Sequence, residues 1–151
     1  MIKAVTFDLW DTVIHDDSDE PRRAAQGLRS KKEERRYLLW QALNNEVPIT
    51  QEEVWLACNT TDAAFNHVWH EQFVTWCVRE RLQVAINGLD RNLSESALDF
   101  VVQQYEEMEI SVAPDMIDGV SDAIANLAQD FPLAVVSDAI VSPGRCLRQW
   151  L

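Results

Sequence analysis

Two short apolar runs constrain this chain more than anything else in it: Ile2 to Phe7 near one end and Leu133 to Ser137 near the other. Both are rich in β-branched residues with little polar alternation, which is how a strand buried on both faces of a parallel sheet reads. Each closes on a polar side chain, Asp8 in the first case and Ser137 in the second. Parallel strands need a long crossover, and ligands of α/β sheets gather outside the carboxyl ends of the strands. The two runs therefore predict an α/β core with strands near residues 2–8 and 133–137, and with Asp8 and Ser137 at its functional edge.

The stretch between the runs is too long for one crossover helix and reads as a helical subdomain. Ser18 and Asp19 are N-cap residues, Pro21 suits a first helical turn, and the spacing predicts one long helix from Arg22 to about Leu43. Asn44 to Pro48 breaks it. Thr50 and Glu53 then form a capping box, with Ile49 stapled to Val54, opening a short helix to about Cys58. A further helix is expected from Asp62 through Phe65, Val68, Trp69, Phe73 and Trp76, closed by a turn at Asn87-Gly88. Ser94 caps another that carries Leu98, Val101, Val102, Tyr105 and Met108. Gly119 to Gln129 reads as a short amphipathic helix, and Ser142-Pro143 as the start of a last helix running to Leu151.

Composition narrows the function classes. A net charge of -12 argues against nucleic acid, because phosphate contacts need clustered Lys and Arg. The one basic cluster, Arg22 to Arg36, is interleaved with Glu33 and Glu34 and reads as a solvated helix face. No apolar run approaches the roughly 18 residues of a membrane span, and no charged segment precedes an apolar one as in a secretion signal. The expectation is a cytoplasmic protein with no membrane partner. Cys58, Cys77 and Cys146, odd in number and scattered, read as reduced thiols. The six tryptophans read mainly as packing.

The segment Phe7-Asp8-Leu9-Trp10-Asp11-Thr12-Val13 resembles the first motif of the haloacid-dehalogenase-like (HAD) hydrolases, an apolar strand followed by DxDxT or a close variant. Pro132 to Ala139, with Ser137 and Asp138 closing the strand, resembles their second motif. The resemblance implies a partial Rossmann-like parallel sheet core from residues 1–14 and 113–151, with a helical C1-type cap inserted over 15–112. It implies Asp8 as the nucleophile, forming a covalent ester that water cleaves. Ser137, with Asp138 beside it, would hold the transferring group, and Thr12 would steady the loop. Amides near Ser142-Pro143 would add anion binding through a helix N-terminus. In the phosphatases of this family Mg²⁺ is held by the nucleophile carboxylate and the backbone carbonyl two residues on, here Asp8 and the carbonyl of Trp10. The substrate implied is a small anionic molecule, a phosphorylated metabolite.

The chain departs from the family pattern at two points. The family's second aspartate, its general acid and base, is here Trp10, which leaves Asp11 as the one neighbouring carboxylate able to substitute. An aromatic at this position is similar to the 2-haloacid dehalogenases, in which halide leaves without protonation and no metal is required. Further, the sequence ends 14 positions after Ser137 (151 − 137), and the family's third motif, a Lys or Arg, and its fourth, an acidic pair, are expected later than that. The expectation is either a piece truncated after the second motif, or a chain whose open strand edges pair it with a second copy as a homodimer.

Weaker signals complete the reading. His67, His70 and Glu71 share a helix face with metal-ligand spacing but lack a further ligand. Asp16, Asp17, Asp19 and Glu20 read as a solvated acidic loop favouring the helix N-terminus that follows. Arg22, Arg23, Arg29 and Trp40 are the residues of the cap region suited to touch an anionic substrate.

Overall fold

A computed structural model of the chain describes residues 1–149. The fold is α/β, mostly helical, with a two-stranded parallel sheet. Strand β1 is Val5–Phe7 and β2 is Leu133–Val135, and they pair in the register Val5 with Leu133, Thr6 with Ala134 and Phe7 with Val135. Eight helices accompany them among the described residues: α1 Glu20–Ala25, α2 Lys31–Glu46, α3 Gln51–Gln72, α4 Val78–Gly88, α5 Glu95–Glu106, α6 Met108–Ser111, α7 Val120–Leu127 and α8 Gly144–Leu147.

The chain divides into two compact units. One joins Met1–Leu28 to Val112–Asp138 and holds the sheet, α1 and α7; the other joins Arg29–Ser111 to Ala139–Leu151 and holds the remaining helices. Sequence reasoning starts the helical part at residue 15 and returns to the core at 113. In the structure the helical unit starts at Arg29 and takes in the segment after Asp138.

In the two-strand unit the expectation of strands buried on both faces is corrected. No residue of β1 or β2 is buried, and Ile2 and Val136 are 67% and 66% exposed. Two strands have two open edges, and six strand residues offer too little apolar surface to be enclosed. The strands are also shorter than the apolar runs that announce them. What this unit does bury is the loop after β1: Leu9, Val13 and Ile14 are almost fully enclosed. Ile14 also bridges antiparallel to Met116, and Ile117 N–H donates to the Val13 carbonyl at 3.0 Å, which ties residues 112–117 to that loop.

The helical unit carries the main apolar core, built from Leu39, Leu43, Val54, Val78, Leu82, Ile86, Leu98 and Val101 among others. Large aliphatic side chains contribute about 1.5–3 kcal/mol each when fully buried, so this unit is held by its core. Two capping boxes start its longest helices, Ser30 with Glu33 at α2 and Thr50 with Glu53 at α3. The expected single helix from Arg22 to Leu43 is two helices. Gly27 at φ 72° ends the first, and Ser30 caps the second. Conversely, the expected break between Cys58 and Asp62 does not occur, and α3 runs unbroken to Gln72. Within it, the Thr60 hydroxyl donates to the Leu56 carbonyl one turn back at 3.0 Å. Helix α3 stops where Phe73 turns left-handed at φ 56°, so Phe73 and Trp76 do not continue it as their spacing suggests. The last helix is a single turn; its expected course to Leu151 lies partly outside the described residues.

Candidate active site

The sheet places two of the expected site residues together. Register carries on past the last strand pair: Val136 N–H donates to the Phe7 carbonyl at 2.8 Å. Asp8 and Ser137 therefore leave adjacent parallel strands at the same, carboxyl, end. Asp8 is exposed, and its Oδ1 accepts the Leu9 N–H at 2.7 Å. That bond orients the carboxylate and leaves Oδ2 without a donor among the described residues. Ser137 is half-buried, and its Oγ is enclosed with no hydrogen-bond partner among the described residues. An unsatisfied buried hydroxyl costs about 1–3 kcal/mol, which an acceptor on a bound ligand returns.

The turn after Asp8 is closed by one carbonyl. Leu9 O accepts the N–H groups of Thr12 at 3.4 Å, Val13 at 2.8 Å and Ile14 at 3.1 Å, while Asp11 N–H donates to Ile14 O at 2.7 Å. Such a closure requires a left-handed residue, and Asp11 takes it at φ 51°, a conformation that Asp tolerates better than most side chains. The Asp11 carboxylate accepts the Asp16 N–H at 3.0 Å, so it braces the loop from within. Trp10 is half-buried in the same turn. Thr12 is exposed and contributes its backbone N–H to the closure. Asp138 is exposed beside Ser137.

Electrostatically this end of the sheet is acidic. The Lys and Arg residues of the two-strand unit are Lys3, Arg22 and Arg23. Arg22 is engaged with Asp115 and with the Ala113 carbonyl, and Arg23 is buried. Neither is therefore presented as an open anion contact. The acidic run has turn roles: Asp16 Oδ1 accepts the Asp17 N–H at 2.9 Å, and Asp19 is buried at the start of α1.

The donors implied for Mg²⁺ are two oxygens, the Asp8 carboxylate and the Trp10 carbonyl. Magnesium demands near-octahedral oxygen coordination. Among the described residues no three His, Cys, Asp or Glu side chains are grouped to hold a metal ion. Asp8 and the Trp10 carbonyl would supply two of the six oxygens, with water and a substrate phosphate supplying the others. His67, His70 and Glu71 do not form such a group: both histidines are exposed, and the His70 ring lies against Trp69 at 4.6 Å.

In the helical unit the expected substrate contacts turn inward or pair locally. Trp40 packs on the core and donates its indole N–H to the Ile49 carbonyl at 2.9 Å. Arg29 lies 3.7 Å over the Tyr37 ring and bonds Glu34 at 2.9 Å. Ser142 belongs to this unit, where its hydroxyl donates to the buried Glu109, and the four residues of α8 are too few to align a macrodipole for an anion. Sequence reasoning missed the long-range ion pairs of this unit. Glu109 accepts Lys31 at 3.3 Å with both side chains almost fully enclosed, and Asp62 joins Arg36 at 3.3 Å to Arg81 at 3.1 Å. Their partners lie 78, 26 and 19 residues apart, so no local spacing announces them.

Compared with protein-family models, with curated proteins and with solved structures, the chain matches none of them. No helix among the described residues is long and apolar enough to cross a membrane.

Proposed function

We propose that the strand-end site of the two-strand unit is that of a HAD-like hydrolase acting on a small phosphorylated metabolite, with Asp8 as its nucleophile. The observation that supports this reading is the pairing of Asp8 with Ser137. One carboxylate oxygen is held by Leu9 N–H and the other is open, beside an enclosed hydroxyl that lacks a partner. In this reading Asp8 Oδ2 attacks phosphorus, Ser137 Oγ donates to an oxygen of the transferring group, and water cleaves the resulting acyl phosphate. Asp138 is proposed to contact the substrate, and Thr12 and Asp11 to hold the turn.

A second reading, hydrolysis of a carbon–halogen bond, is favoured by Trp10, since a departing halide needs no proton. The two separate on the product released. Phosphate release abolished by Asp8→Asn supports the first, and metal-independent halide release replaces it with the second. Turnover unaltered by Asp8→Asn removes Asp8 from either reaction. A third reading, an incomplete site in a chain that self-associates, is favoured by the exposed strands. Size-exclusion chromatography with light scattering tests it, and a stable monomer removes it.

A further inference from the structure

We propose that the outer edge of β2 is a docking site for an extended, basic segment of a partner polypeptide, which adds to the sheet as a third strand. This is independent of any reaction at Asp8. The ladder fixes which backbone groups face outward. Val5 N–H donates to the Pro132 carbonyl at 3.0 Å and Val136 N–H to the Phe7 carbonyl at 2.8 Å. Bonds of a parallel pair engage alternate residues of each strand, so Ala134 faces β1 while Leu133 and Val135 turn their N–H and C=O groups outward. Among the described residues the sheet has two strands, and no other backbone hydrogen bond reaches those outward groups. The side chains along this edge are apolar and open: Ala134 is exposed, and Val135 and Val136 are 41% and 66% exposed.

Natural edge strands are blunted by a lysine, an inward charge, a bulge or a proline within the strand. From Leu133 to Val136 this edge carries no charge and no proline, and its register is unbroken. An unprotected edge accepts a further strand, and charge selects which one. The unit that holds β2 has eleven acidic residues against three Lys and Arg. Of those three, Lys3 precedes β1, Arg22 is engaged with Asp115, and Arg23 is buried. Strand β2 is flanked by Asp130 and Asp138, both exposed, and the sequence from Val112 to Asp138 has no Lys or Arg. The opposite edge, along β1, begins at Lys3 and lacks that uniform sign. A second copy of the chain brings the same acidic edge and is repelled. A segment with lysine or arginine at its ends and β-branched residues between them is attracted. Backbone hydrogen bonds then supply affinity, apolar residues lie against Val135 and Val136, and the basic ends face Asp130 and Asp138.

The test uses the whole chain and three fluorescein-labelled peptides. One is Lys-Val-Thr-Val-Thr-Val-Lys, the second has glutamate ends instead, and the third keeps the lysines but has proline for each threonine and so lacks strand N–H groups. Anisotropy is expected to show the first binding about tenfold tighter than either of the others. Added salt is expected to shrink its advantage over the glutamate peptide. Hydrogen exchange is expected to slow more at residues 133–136 than at residues 4–8. Val135→Pro deletes an outward N–H and keeps the bonds to β1, so it is expected to weaken binding about tenfold. Thr6→Pro, the same change on the opposite edge, is expected to leave binding unaltered. Asp130→Lys combined with Asp138→Lys leaves the strand intact should Val135→Pro not fold, and is expected to reverse the preference between lysine and glutamate ends. No detectable binding of the lysine peptide, equal binding of all three peptides, or undiminished binding to folded Val135→Pro overturns the proposal. So does a concentration-dependent dimer in light scattering whose residues 133–136 are protected without peptide, since a second copy is then the occupant.

Discussion

Burial decides what individual side chains do here. Cys58 shows it most simply: burial pushes its thiol up to about 11, with Arg36 opposing less strongly. The thiol is thus held protonated at neutral pH, and the thiolate is the reactive form. Cys146 is buried and raised for the same first reason, whereas Cys77 is exposed. A thiol-reactive dye on the native protein is expected to label Cys77 rapidly and the other two only on unfolding; rapid labelling of more than one thiol contradicts this account. Asp11 illustrates the opposite case, an exposed acid whose place is fixed by backbone geometry. Its proximity to Asp8 in sequence made it a candidate acid. Its positive φ and its bond to Asp16 N–H give it a structural role that spacing does not reveal.

The elements record how much of this fold is written locally. Capping chemistry is short-ranged, and Thr50-x-x-Glu53 and Ser94 stand in the structure where the sequence places them. Ser30-x-x-Glu33 carries the same signal, yet a continuous apolar spacing across Gly27 outweighs it in the sequence. Only the positive φ of Gly27 shows that the chain turns there. The end of α3 is less legible still, because Phe73 occupies a left-handed position where glycine is the usual signal. The boxes also set a pH dependence. Hydrogen bonds from Ser30 hold Glu33 below the usual glutamate range, and those from Thr50 do the same for Glu53. A depressed folded-state value means that this stabilisation is present above the unfolded pKa, near pH 4.3, and is lost as pH falls through the folded one. Helicity is expected to fall on acidification below about pH 4, and Glu33→Gln with Glu53→Gln, which keep the boxes without the titration, should flatten that fall. Identical acid curves for the parent and the double variant would show that the boxes do not carry it.

For the whole molecule, the sequence makes the α/β class and the parallel pairing of two distant runs legible, because both rest on apolar pattern. The extent of burial is not legible, since enclosure depends on what surrounds a strand. The division into units is likewise set by contacts between distant segments, Arg22 with Asp115 in one and Glu109 with Lys31 and Ser142 in the other. Most of the net negative charge lies in the two-strand unit, where eleven acidic residues stand against three Lys and Arg and where an anionic substrate is proposed to bind. Added salt screens that repulsion, which makes moderate ionic strength the sensible condition for any assay. The central claim is that Asp8 is a nucleophile, and it is tested most directly by acid-quenching the protein during incubation with p-nitrophenyl phosphate and mapping the peptides by mass. The account predicts one phosphoryl group on Asp8, absent in Asp8→Asn. Phosphate released with no adduct on Asp8, or an adduct on another residue, would contradict it.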